Sequence, residues 1–220
     1  MLVGANTELL VYSRYQDMAW IERLNAGRTA LTKNDYANAE YQLWEALKEA
    51  EAFGGESDQM IESAEVLSHC LMQMQKFEDA EQLMLGLADI QSRKLGPNHL
   101  RTAHTLVLLA ELYYAKGEYA RAEPFAQSGL KCFESTLGPS NEETVRLTAY
   151  MAYIFHAQQK FAQAEPYYER AMSASVKTMS ENPQGALQVI NGYAALLSAT
   201  HREEQANSLL AFAEQSQLAV

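Results

Sequence analysis

The segment TLVLLAELYYAKGEYARAEPFAQSGLKCFESTLGPSNEET, residues 105–144, decides the fold of this 220-residue chain. Apolar side chains recur at helical spacing on both sides of Lys116-Gly117. A basic residue followed by glycine is typical of a helix end and a short turn, because glycine adopts the left-handed conformation without strain. The segment therefore predicts two antiparallel helices, over about 98–116 and 118–135.

The same pattern recurs along the chain at intervals of 41 or 42 residues. The core of the quoted segment, GEYARAEPF, aligns with NDYANAEYQ, QKFEDAEQL, QKFAQAEPY and HREEQANSL, so there are five repeats. One column of this alignment is always alanine: Ala39, Ala80, Ala122, Ala164 and Ala206. Twelve residues earlier, a second column is always small: Gly27, Ser68, Ala110, Ala152 and Ala194. Small residues let two helix backbones approach closely, so each repeat is predicted to be a helix pair.

The tripeptide LGP, at 95–97 and again at 137–139, is predicted to join one repeat to the next. Its glycine can end a helix in a left-handed cap, and the proline after it cannot continue the helix. Asn98 and Ser140 then stand where the next helix needs an N-cap, and Ser140 forms a capping-box pattern with Glu143. A residue pair that breaks helices thus marks the boundary between two of them.

The quoted segment and the linker LGPNHLRT (95–102) resemble the 42-residue tetratricopeptide repeat of kinesin light chains and of many bacterial proteins. The resemblance implies an all-α fold, a right-handed α-solenoid of about five helix-turn-helix units. We expect a helical lead-in over 1–17 and an array over 18–217, with units at about 18–55, 57–96, 98–138, 140–181 and 183–217. The resemblance also implies a non-enzymatic protein-interaction scaffold whose concave groove receives a peptide or a partner helix.

Candidate partner-binding residues follow from the spacing of the first helix in each repeat. If the small column packs against the second helix, steps of three and four residues define the edge that faces the groove. The predicted residues are His104, Glu111, Tyr114, Arg146, Tyr150, Tyr153, His156, Gln188 and Asn191. Rigid tyrosines make good anchors, and a ligand with a basic end and an apolar or acidic end would suit this edge. Alternatively, the tyrosines pack between neighbouring helices and the charges form a solvated face.

Composition disfavours several other classes of function. Lys and Arg number 17 against 28 Asp and Glu, a net charge of −11, which repels nucleic acid and anionic membranes. No signal peptide and no run of 18 apolar residues is found, and Cys70 and Cys132 fall in apolar helical stretches. We therefore expect reduced, buried thiols and a cytoplasmic protein.

Motifs that carry chemistry are missing from the sequence. It contains no glycine-rich phosphate loop, CxxC pair, HExxH or nucleophile elbow, so no catalytic residue and no cofactor is predicted. Glu62, Glu65 and His69 share one helix face, but a helical carboxylate-bridged metal site needs Glu-x-x-His twice, so no metal site is predicted.

Two other functions stay open. The last repeat ends in SLLAFAEQSQLAV without a strongly polar capping helix, so Leu209, Leu210 and Phe212 could stay partly exposed and recruit a second copy of the chain. The protein would then be a self-associating structural element, a homo-oligomer. Alternatively, these residues are the regulatory domain of a larger signalling protein or enzyme.

Overall fold

A computed structural model describes residues 2–177 and 182–217 of the chain, with side chains over 17–176 and 182–215. The described residues form ten α-helices and the short 3₁₀ helix Glu51–Phe53. The α-helices are α1 (Leu2–Thr32), α2 (Tyr36–Ala50), α3 (Asp58–Gln73), α4 (Phe77–Lys94), α5 (Leu100–Ala115), α6 (Tyr119–Thr136), α7 (Glu142–Ala157), α8 (Phe161–Lys177), α9 (Pro183–Ala199) and α10 (Glu203–Gln217). The chain divides into an N-terminal half, Met1–Pro97, and a C-terminal half, Asn98–Val220.

Each half is a stack of helix pairs. The pairs are α1 with α2 and α3 with α4 in the N-terminal half, and α5 with α6, α7 with α8 and α9 with α10 in the C-terminal half. Within each half, the second helix of a pair also packs against the first helix of the next pair. The bounds of α5 and α6 lie within two residues of the helices predicted from the quoted segment.

The two small columns form the seam between the helices of each pair. The alanine column is buried in all five repeats, from Ala39 to Ala206. The second column is buried as well, and at Gly27 an added Cβ would lie 2.6 Å from the Leu43 side chain. Two helices at this separation leave no room for a large side chain, so the residues of these columns are all small.

The joints between repeats follow the prediction except for the capping residues. Gly96 and Gly138 adopt φ angles of 101° and 86°, the left-handed conformation expected after a helix. The predicted N-caps Asn98 and Ser140 are wrong, because each helix begins one residue later and is capped by His99 or Asn141 instead. After α6, the Asn141 amide donates to the Gly138 carbonyl at 3.3 Å, so Ser140 lies within the turn that precedes α7.

Ion pairs link the second helices of consecutive repeats at equivalent positions. Lys76 Nζ donates to Glu40 Oε1 at 2.6 Å, and Lys160 Nζ donates to Glu123 Oε2 at 2.8 Å. Arg202 makes the corresponding pair with Glu165. In each case the cation immediately precedes the second helix of its repeat. Such surface pairs contribute little stability each, roughly 0–1 kcal/mol.

The cysteine prediction is confirmed, since Cys70 and Cys132 are both buried and free. No helix in the described part of the chain combines the length and the apolar character that crossing a bilayer requires.

Candidate functional site

A cavity of about 710 Å³ opens between α7 and α9 in the C-terminal half, and the end of α8 contributes to its wall. Four of its lining residues are aliphatic and come from the facing sides of the two helices: Val145, Ala149, Ala186 and Val189. Four of the nine predicted partner-binding residues also line it: Arg146, Tyr150, Tyr153 and Gln188. The first helices of the fourth and fifth repeats therefore bring distant parts of the sequence to one concave site.

Arg146 is held by two carboxylates at the edge of this cavity. Its Nη1 donates to Glu111 Oε1 on α5 at 3.3 Å, and its Nη2 donates to Glu143 Oε2 at 2.7 Å. Burial by itself lowers the pKa of Arg146, but the hydrogen bonds and charges of Glu143 and Glu111 outweigh it and raise that pKa. The guanidinium therefore links α5 to α7, and both of its terminal nitrogens already donate to carboxylates.

Tyr150 packs between neighbouring first helices. Its hydroxyl donates to the Ala110 carbonyl of α5 at 3.4 Å, and its ring centroid lies 5.3 Å from that of Tyr114. Burial, followed by the charge of Glu111, raises the pKa of Tyr150 well above its ordinary value. The phenol is therefore neutral at physiological pH and fixed on two sides, so its ring is a rigid part of the cavity wall.

Tyr153 rests against the backbone of α9. Its ring lies 5.7 Å from Tyr168 in an edge-on arrangement, and an added Cβ on Gly192 would meet it at 2.7 Å. Glycine inside a helix costs about 0.5–1 kcal/mol relative to alanine, so this close approach accounts for its presence in α9. Burial, with a smaller effect of Tyr114, raises the pKa of Tyr153 to about 12.

The remaining predicted residues divide into two sets. Glu111 and Tyr114 reach the cavity edge through their contacts with Arg146 and Tyr150. The other three lie apart from it. His104 packs on Phe133 at 4.9 Å, His156 lies 3.1 Å from the Tyr168 hydroxyl, and Asn191 is exposed on α9 outside the cavity lining. Burial lowers the pKa of His156, which places it with the packed side chains.

Sequence reasoning missed polar residues at the start of both helices. Glu142, Asn182 and Gln184 all line the cavity. Asn182 Nδ2 donates to Glu142 Oε1 at 3.3 Å, and its Oδ1 accepts from the Gly185 amide at 3.0 Å, so one side chain caps α9 and ties it to α7. The available signal was one more helical step of four residues, from Arg146 back to Glu142 and from Gln188 back to Gln184.

Glu62 and Glu65, the two acidic residues predicted to share a face of α3, both have partners within the N-terminal half. Glu62 Oε1 accepts a hydrogen bond from Arg28 Nη2 at 2.7 Å, which joins α3 to α1. Glu65 accepts from the buried Gln91 amide at 2.8 Å. Among the described residues, no group of three or more His, Cys, Asp or Glu side chains is arranged to hold a metal ion.

Comparisons with known proteins agree with this architecture. Two tetratricopeptide repeat models match the sequence, over residues 59–135 and 151–183, together half of the chain. No curated protein matches it by sequence.

Several solved structures share the fold at low sequence identity. BtubC (BKLC) from P. vanneervenii superposes with a TM-score of 0.79 at 16% identity, over 88% of this chain and 77% of that one. A Podosopora anserina putative kinesin light chain with nearly identical TPR-like repeats has a TM-score of 0.77 at 18% identity, over 89% and 93%. MamA has a TM-score of 0.67 at 12% identity, over 90% and 92%. The chain therefore belongs to the tetratricopeptide repeat family, and its fold is the all-α solenoid of kinesin-light-chain-like repeat proteins.

Proposed function

We propose that this chain is a non-enzymatic protein-interaction module that holds a peptide or a partner helix along α7 and α9. The cavity between these helices is the observation that carries the proposal. Its volume of about 710 Å³ lies within the range typical of ligand sites, roughly 300–1,000 Å³, and it combines aliphatic walls with a few polar groups. A stack of helix pairs offers such concave surfaces for partners, and the family to which the chain belongs supports the same function.

Preorganisation of the wall also supports binding. Tyr150 and Tyr153 are fixed by packing, so a partner that contacts them does not have to immobilise them. Gln184 and Gln188 are exposed on successive turns of α9. Within the described part of the chain neither amide has an intramolecular partner, so both are available to the backbone of an extended peptide.

Filling the cavity tests the proposal without disturbing the core. In Gln188→Trp an indole would occupy the cavity from an exposed position, so peptides selected on the unmodified protein should bind at least tenfold more weakly. The measurement is fluorescence anisotropy with fluorescein-labelled decapeptides recovered from a phage-displayed random library.

The matched control is Gln163→Trp, the same change at an exposed position of α8 outside the cavity. This variant should bind the peptides as the unmodified protein does. If Gln188→Trp binds them equally well, the cavity is not the binding site. Tyr153→Ala is a poorer probe, because it also removes packing against Tyr168 and Gly192.

Self-association is a second candidate function, favoured by apolar exposure on α10. Leu210 and Phe212 are exposed, by 39% and 41%, and Leu209 is partly exposed, as the sequence predicts. A second copy of the chain would cover them. Light scattering should then give a mass that rises with concentration above the 24.6 kDa of one chain.

The double change Leu210→Glu and Phe212→Glu should restore the mass of one chain at every concentration. Leu85→Glu is the control, since Leu85 is similarly exposed, by 42%, but lies on α4. A mass of 24.6 kDa for the unmodified protein across the whole concentration range would contradict this function.

A further inference from the structure

We propose that the cavity between α7 and α9 selects a cationic peptide segment, in which a lysine or arginine stands beside an aliphatic residue, and rejects acidic segments. This inference rests on the proposed function and specifies its ligand. It is narrower than the sequence-based expectation of a ligand with a basic end and an apolar or acidic end.

The charge at the cavity edge is negative in spite of its arginine. Glu142 and Arg146 line the cavity, and Glu111 and Glu143 are hydrogen-bonded to Arg146. Three carboxylates thus accompany one guanidinium, and the lining residues from α8 and α9 carry no charge. The described residues of this edge thus carry an excess of two negative charges.

The pairing of Arg146 decides which ligand charge is favoured. A carboxylate of the ligand that approached this guanidinium would also approach Glu111 and Glu143, the two carboxylates that already accept its hydrogen bonds, and they would repel it. A ligand ammonium or guanidinium meets no such obstacle, because Glu142 lies on the cavity wall with a neutral amide, Asn182, as its hydrogen-bond partner. A ligand cation beside Glu142 is therefore attracted to the edge of the cavity, whereas a ligand anion is repelled from it.

The aliphatic part of the cavity wall determines which kind of residue the ligand carries next to its cation. Val145, Ala149, Ala186 and Val189 are short aliphatic side chains that leave space for a branched or linear apolar side chain. Burial raises the pKa of the Tyr153 phenol to about 12, so at physiological pH it lines the same space without adding a charge. An aliphatic residue in this space brings the residue beside it to the acidic edge.

Charge exchange between peptide and protein provides the experiment. Decapeptides selected from a phage-displayed random library on the immobilised full chain should be enriched in Lys or Arg next to Leu, Ile, Val or Met. In a fluorescein-labelled selected peptide, Lys→Glu should weaken binding at least tenfold. Glu142→Lys should weaken binding of the lysine peptide about tenfold and restore binding of the glutamate peptide, while Glu142→Gln should weaken the first without restoring the second.

Controls separate this inference from the proposed function. Glu78→Lys makes the same charge change at an exposed position of α4 and should leave both affinities unchanged. Far-ultraviolet circular dichroism checks that each variant keeps its helices. Selected peptides that are sensitive to Gln188→Trp but acidic or uncharged, or that are unaffected by Glu142→Lys, would overturn the charge preference alone. A screen without any peptide sensitive to Gln188→Trp would overturn the proposed function and this inference together.

Discussion

Tyr168→Ala is expected to lower the free energy of unfolding of the C-terminal half by about 3–5 kcal/mol, the range found when a buried aromatic ring is removed. Tyr168 lies on α8 and is 1% exposed. Its ring stacks on Tyr193 of α9 at 5.7 Å and meets Tyr153 of α7 at the same distance. The ring thus fills the space where three helices meet, and alanine would leave a cavity there.

Tyr168→Phe is the matched control, because it keeps the ring and removes the hydroxyl. The hydroxyl lies 3.1 Å from His156 Nδ1, and losing one such hydrogen bond costs about 1 kcal/mol. Urea unfolding followed by circular dichroism measures both changes. An alanine variant that loses no more stability than the phenylalanine variant would show that the stacked ring does not hold these helices together.

The scaffold could be predicted because its determinants are local and periodic. An alanine that recurs at every repeat has one physical reason, the separation of two helix backbones, and Ala39 and Ala122 satisfy it in the same way. Gly96 and Gly138 likewise act within their own turn, and their positive φ angles are required wherever the helix must stop before a proline. The role of such residues can be predicted without knowing which distant parts of the chain they contact.

The site could be predicted only in outline, because the sequence of one helix does not show which side chains of other helices its residues contact. The pattern of α7 predicts Arg146 as a partner-binding residue, but it does not show that Glu111, 35 residues earlier, accepts a hydrogen bond from it. For Tyr153 the pattern leaves open whether the ring is an anchor or packs between helices, and the absence of a side chain at Gly192 lets it pack against α9. Ser140 was wrongly predicted as the N-cap of α7 because the turn before this helix contains one residue more than the pattern of α7 suggests.

Glycine at three turn positions is expected to stabilise the protein. The turn inside every repeat contains one residue with positive φ, and these are Asn34, Gln75, Gly117, Gln159 and His201, at 56° to 75°. The left-handed conformation costs a non-glycine residue roughly 1–2 kcal/mol, of which asparagine escapes a part. Glycine removes this strain but loses more chain entropy on folding, about 0.5–1 kcal/mol. The net gain is about 0.5–1 kcal/mol at each glutamine or histidine.

The triple variant Gln75→Gly, Gln159→Gly, His201→Gly should therefore gain about 2 kcal/mol in the free energy of unfolding. All three side chains are exposed, and the backbone amides keep their bonds, as Gln159 does to the His156 carbonyl at 2.8 Å. Gly117→Gln is the reciprocal control and should lose about 1 kcal/mol, since it introduces the same strain. Urea unfolding of the unmodified protein, the triple variant, Gly117→Gln and the three single glycine variants measures whether the gains add. A triple variant that is less stable than the unmodified protein would contradict this prediction. A Gly117→Gln variant of unchanged stability would also contradict it, because the turn inside a repeat would then not be strained by a side chain.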